Sequence, residues 1–235
     1  MVVVIVKKIK PYQTSLEIQR LYKWDEFKTI IPYGPLGCGK STYAIKVLAE
    51  VLGSPGEPDY ESVKDYIVFH PRDFIDRCMH HEGREPAIIW DDAGLWLHAL
   101  DFNDPFVKAV GKYISVARTD WAAIIFTTPL PTWIFSKVRE VPDAITIKIK
   151  KTIEGNKKKY RYRQAVAYRF WKAPDLKHSG VKSLWIDEFK GMLPDSFFKW
   201  YKPLRDRYAT LAKHTMDTEL KRIIDKNPEY NVSFQ

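Results

Sequence analysis

The chain has 235 residues, 45% of them hydrophobic and 29% charged, which excludes a disordered polymer and allows one substantial core. Two cysteines, Cys38 and Cys78, exclude a disulfide framework. With no apolar run near the roughly 18 residues of a bilayer span, they point to a reducing cytoplasm and no membrane insertion. The formal charge of +9 sits in one segment: residues 148–172 carry ten Lys/Arg and one acid, whereas the other 28 bases are matched by 28 acids.

Along the chain, "VVVIVKKIK" reads as an opening strand, and "SLEIQRLYKW" places Leu16, Ile18, Leu21 and Tyr22 at helical spacing. "TIIPY" is a buried strand entering a glycine loop, and "STYAIKVLAEVLG" a helix stopped by Gly53 and Pro55. "DYIVFH" is a second strand, followed by a helix opening at Pro71. "PAIIWDDAG" is a third strand, and "NDPFVKAVGKYISVAR" a helix with Asn103 as its expected cap. "WAAIIFTTP" is a fourth strand, "PTWIFSKVRE" a short helix, and "AITIKIK" a half-buried edge strand by its strict alternation. Apolar strands alternating with helices indicate a three-layer α/β domain over residues 1–151, with a mainly parallel five-stranded sheet. Residues 152–173 read as a basic hairpin turning at Gly155-Asn156 with a returning strand. Residues 174–235 read as a small helical region, helical from Asp195 to Asp225 and kinked or broken near Pro203.

The chemistry concentrates at the expected carboxyl ends of the strands. Gly34, Pro35, Leu36, Gly37, Cys38, Gly39, Lys40 and Ser41 fit G-x-x-x-x-G-K-[ST] without a mismatch, between a strand and a helix, with Thr42 continuing that helix. Glycines let backbone N–H groups turn inward around phosphates, and the helix start adds positive potential. Lys40 is expected to bridge the β- and γ-phosphates, and Ser41 to take a Mg²⁺ position. Cys38 reads as a tolerated small residue. "AIIWDD" delivers two carboxylates at a strand end. Asp91 would hold the metal directly or through water, and Asp92 would orient and deprotonate the attacking water. A hydroxyl at the fourth strand's end, Thr127 or Thr128 with Thr128 nearer the tip, would hold that water or sense the γ-phosphate.

The order of phosphate loop, "IIWDDAG" and "IIFTTP" across residues 27–150 resembles the AAA+ ATPases of the additional-strand P-loop group. "DDAG" is similar to the Asp-Asp-x-Gly of replication initiators and of helicase or transposase loaders. Small ATPases of this kind occur in archaeal viruses and plasmids. The resemblance implies ATP as the nucleotide, action as a homo-oligomer, a DNA-linked task and, for a viral or plasmid protein, the host cytoplasm. It also implies an arginine acting from a neighbouring subunit: Arg139 matches the usual position, and Arg118 is favoured in a DNA-packaging or DNA-pumping motor. Asp92 stands where a glutamate is more usual, and no lid motif follows the core.

Within 148–172 the bases interleave with Tyr160, Tyr162, Tyr168, Phe170 and Trp171. An almost purely positive hairpin face indicates a polyanion partner, so Lys157, Lys158, Lys159, Arg161 and Arg163 are the expected DNA contacts. His70, Cys78, His80 and His81 fit no zinc spacing. Two rivals to a DNA-linked ATPase remain: a P-loop kinase of small acceptors, and a nucleotide-gated DNA-binding module with vestigial hydrolysis.

Overall fold

The computed structural model describes residues 10–54, 56–151, 162–172 and 179–227. The strand expected over residues 1–9 and the hairpin turn, with Lys157, Lys158, Lys159, Tyr160 and Arg161, lie outside the described residues. The elements are α1 (Gln13–Lys23), β1 (Lys28–Tyr33), α2 (Lys40–Leu52), β2 (Ile67–Val68), α3 (Pro71–His80), β3 (Glu85–Trp90) and α4 (Pro105–Tyr113). They continue with β4 (Trp121–Phe126), α5 (Ser136–Arg139), β5 (Ile145–Lys151), β6 (Tyr162–Lys172), β7 (Ser179–Lys190) and α6 (Asp195–Lys226).

The strands form one sheet in the order β2-β3-β4-β1-β5-β6-β7. All pairings from β2 to β5 are parallel, and β5–β6 and β6–β7 are antiparallel. The five expected strands are thus the parallel part of a seven-stranded sheet. β1, β3 and β4 are near-continuous apolar runs because both their faces are covered. Ile31, Ile88, Trp90, Ile124 and Phe126 pack on one face with Phe74 of α3, Val107 and Val110 of α4 and Val138 of α5. α1 and α2 cover the other face and are joined by a Ser15 Oγ–H bond to the Val47 carbonyl at 3.1 Å.

Three sequence expectations change. β5 is interior, between β1 and β6; its alternation reports one solvated face, not an edge. Residues 179–190 are strand β7 inside a region expected to be helical, while the helix read from Asp195 does begin there. The strand pattern was hidden twice. A bulge opposite Ala167/Tyr168 leaves Leu184 out of register, and an acid, Asp187, occupies an inward position. The α4 cap is Asp104, whose Oδ1 accepts the N–H groups of Phe106 (2.8 Å) and Val107 (3.2 Å), one residue beyond Asn103.

Two compact units divide the chain, residues 1–193 and 194–235. The second is built on α6, which runs through Pro203 without ending, although proline removes one helical bond there. Near its start the Phe197 ring lies 5.3 Å from that of Trp200 and 6.3 Å from that of Tyr201.

Candidate active site

β1 enters the sheet centre and the chain leaves it through the loop of residues 34–39 into α2. Pro35, Leu36 and Gly37 are exposed, whereas Cys38 and Lys40 are buried. Gly39 caps α2 at φ +101°, a left-handed conformation natural to glycine, and a Cβ there would lie 3.6 Å from the Phe189 ring. The Lys40 ammonium curls back over the loop, donating to the carbonyls of Gly34 (3.1 Å) and Pro35 (3.3 Å). Ser41 and Thr42 follow in the first turn of α2. Burial pushes the Cys38 thiol up, against the pull of Lys40 and Arg163. A raised, enclosed thiol is a poor nucleophile, in keeping with its reading as a small filler.

The ends of β1, β4 and β3 are tied together in that order. The Gly34 N–H donates to the Pro129 carbonyl (3.2 Å), and Tyr33 bridges Thr128 in parallel register. Thr127 Oγ1 donates to Asp91 Oδ1 at 2.6 Å and accepts the Asp92 N–H at 2.8 Å. Asp91 is 1% exposed, so one hydroxyl orients a buried carboxylate and the peptide beyond it. Asp92 is half-buried and left-handed, at φ +50°. That conformation is uncommon outside glycine, and its persistence indicates a turn fixed by its surroundings. The structure brings Thr127 to the acid pair, whereas Thr128 turns its hydroxyl to the Leu130 carbonyl at 3.0 Å. A Cβ on Gly94 would fall 2.9 Å from Thr128 Oγ1, so the turn after the acids needs glycine to close over β4.

Ser41 and Asp91 supply one hydroxyl and one buried carboxylate. This set suits Mg²⁺, which draws its remaining ligands from phosphate and water. Among the described residues no cluster of three His, Cys, Asp or Glu could hold a metal by itself.

Both candidate arginines are engaged within their own chain. Arg118 follows α4 and donates to Asp25 Oδ2 at 2.9 Å, beside the start of β4, the end opposite the phosphate loop. Arg139 closes α5 onto the carbonyls of Thr132 (3.2 Å) and Ile134 (3.1 Å) and pairs with Glu140 (3.1 Å).

By sequence Arg163 belongs with the expected DNA contacts, but the structure places it against the phosphate loop. Its Nε–H donates to the Cys38 carbonyl at 3.2 Å. β6 alternates, and Arg163 shares the face of Ala165 and Ala167, both buried, while Tyr162 is exposed. Four linked residues, Asp187, Tyr43, Thr14 and Trp185, escaped the sequence reading. Asp187 of β7, 4% exposed, accepts from the N–H groups of Gln13 (2.7 Å) and Thr14 (3.2 Å) and from the Tyr43 hydroxyl (2.6 Å). Burial, then the Asp187 charge, holds the Tyr43 phenol well above its ordinary range. Thr14 Oγ1 and the Tyr43 hydroxyl lie 2.7 Å apart, and Trp185 Nε1–H donates to Thr14 Oγ1 at 2.9 Å. A lone inward acid in a strand-like run was the available signal.

No family model matches the chain. It is 36% identical over 132 residues to an uncharacterized protein, B-251, of Sulfolobus spindle-shape virus 1; the match takes in 53% of this chain and 52% of that protein. The chain therefore spans about half the length of the curated relative it matches. Among solved structures it is similar to a KaiC-like protein of the archaeon Pyrococcus horikoshii, at 15% identity and a TM-score of 0.36, covering 68% of this chain and 90% of that one. That superposition is too loose to assign a fold, and the α/β assignment rests on the strand order.

Proposed function

We propose that the chain is a P-loop ATPase that binds ATP with Mg²⁺, hydrolyses it and acts on DNA. The finer reading is a replication initiator, helicase loader or related DNA-remodelling ATPase working as a homo-oligomer. The observation that carries the proposal is the tie between three strand ends. A complete phosphate loop follows β1, an acid pair follows β3, and Thr127 between them, at the end of β4, holds Asp91 and the Asp92 peptide. β4 stands between β1 and β3, an additional strand between the one that carries the phosphate loop and the one that carries the acid pair.

In this reading Lys40 exchanges its two loop carbonyls for phosphate oxygens. The N–H groups of Leu36, Gly37, Gly39 and Lys40, with the start of α2, hold the polyphosphate, while the Cys38 N–H closes the loop on the Pro35 carbonyl. Ser41 and Asp91 hold Mg²⁺, which neutralises phosphate charge. Asp92 takes the proton of the attacking water, and Thr127 keeps the acid pair in register. Arg139 or Arg118 serves a neighbouring subunit after giving up its present contacts.

Exposed Lys148 and Lys150 on β5, with exposed rings of Tyr162, Phe170 and Trp171 on β6, support a nucleic-acid contact that continues into Lys157, Lys158, Lys159 and Arg161. No described helix is long and apolar enough to cross a membrane, and the likeness to a virus-encoded protein supports a place in a host cytoplasm. The test is phosphate release with and without duplex DNA, run beside phosphate transfer to nucleosides. DNA-stimulated release without transfer is expected; transfer to a nucleoside would make the chain a kinase instead.

A further inference from the structure

The phosphate loop meets the antiparallel part of the sheet through a polar contact, the Arg163 Nε–H donating to the Cys38 carbonyl at 3.2 Å. The contact is fixed from both sides. On β7, opposite Arg163 in register, Phe189 is 2% exposed and packs 5.0 Å from the Tyr43 ring. Its ring also faces Gly39, whose would-be Cβ lies 3.6 Å away. One strand position earlier on the same face, Asp187 holds the Tyr43 hydroxyl and the start of α1. β6 and β7 are therefore anchored to α2 within a turn of the phosphate loop.

A trans peptide directs its C=O and N–H to opposite sides, and no described peptide is cis. Holding the Cys38 carbonyl toward β6 turns the Gly39 N–H away from β6. A cationic donor on the carbonyl also polarises that peptide and makes its N–H a stronger donor to an anion.

We propose that Arg163 is a positioning residue of the nucleotide site, setting the Cys38–Gly39 peptide so that its N–H meets the polyphosphate of a nucleoside triphosphate. This rests on the nucleotide reading above, and it assigns Arg163 to the phosphate loop instead of the DNA contact.

The test compares wild type, R163A, R163K and K40A by calorimetric titration with Mg·ATP, by melting without nucleotide, and by the salt dependence of duplex DNA binding. R163A is expected to weaken Mg·ATP by about tenfold or more, the scale of one charge-assisted hydrogen bond. R163K, which keeps a cationic donor for a single carbonyl, should recover most of that affinity, with melting and the DNA salt slope unchanged in both. Wild-type ATP affinity in R163A beside lost binding in K40A would remove Arg163 from the site and leave the nucleotide reading standing. Equal loss in R163A and R163K, with matching loss of melting temperature, would make it a structural prop and overturn the proposal. A DNA salt slope reduced by about 0.9 in R163A, with ATP affinity kept, would return Arg163 to the DNA contact. Absence of ATP binding in wild type would overturn the nucleotide reading and this inference together.

Discussion

The parallel strands β2 to β5 and the antiparallel pair β6–β7 belong to one sheet, yet they use polar residues in opposite ways. In the parallel part polarity gathers at the strand ends: the interiors of β3 and β4 are apolar, β1 buries a single hydroxyl, Thr29, next to its start, and Asp91, Asp92, Thr127 and Thr128 begin where β3 and β4 stop. In the antiparallel part it enters the sheet itself, with Arg163 and Asp187 on the inward face among Ala165, Ala167 and Phe189. Each inward polar group is bonded to the phosphate loop or to the helices beside it. A parallel sheet covered on both faces has no room for such groups except at its ends, where a ligand can meet them. The antiparallel strands can carry buttresses from within.

The contrast predicts different phenotypes. The largest effect is expected for Asp92→Asn, which should lower ATP hydrolysis by about 10²–10⁴-fold while Mg·ATP binding and stability persist, because the amide cannot take the water's proton. Normal turnover would place the base elsewhere. Asp187→Ala should instead act on folding. It strips two backbone N–H groups and a buried phenol of their acceptor, for a loss of about 2–5 kcal/mol in denaturant unfolding. Unchanged stability there would erase the distinction between chemistry at strand ends and support within strands.

Thr127→Val tests the boundary between the two roles. It should cost about 1–3 kcal/mol and reduce hydrolysis more than Thr128→Val, since the Thr127 hydroxyl alone of the two bonds Asp91. A larger rate loss from Thr128→Val would show that the hydroxyl aimed at Leu130 turns into the site.

The smallest effect lies outside both regions, at Glu17 on α1. Burial opposes its ionisation, but hydrogen bonds from Arg20 and Lys28 outweigh that and lower its pKa from 4.5 to about 2. A folded-state pKa below the unfolded one gives stability that is complete above about pH 4.5 and disappears as pH falls through about 2. The melting temperature of Glu17→Gln should accordingly lie slightly below wild type at neutral pH and converge with it by pH 2. A gap that persists at pH 2 would assign the effect to packing.

The same contrast explains what could be read from the sequence. The parallel half was legible because buried strands are continuous apolar runs, and because the phosphate loop and "IIWDD" announce strand ends directly. β7 was not legible, since Asp187 breaks its apolar face and the bulge at Leu184 shifts the period. Arg163 was read by its charge and its basic neighbours, while its inward direction depends on the register of β6. Thr127 lost to Thr128 for a similar reason: distance from a strand tip says nothing of the face on which a hydroxyl lies.

The central claim is that residues 34–41 hold the phosphates of a nucleotide, and calorimetric titration of Mg·ATP into wild type and Lys40→Ala tests it most directly. Saturable binding in wild type, none in the variant, and similar melting temperatures without nucleotide are the predicted result. Equal binding by the two proteins would contradict it.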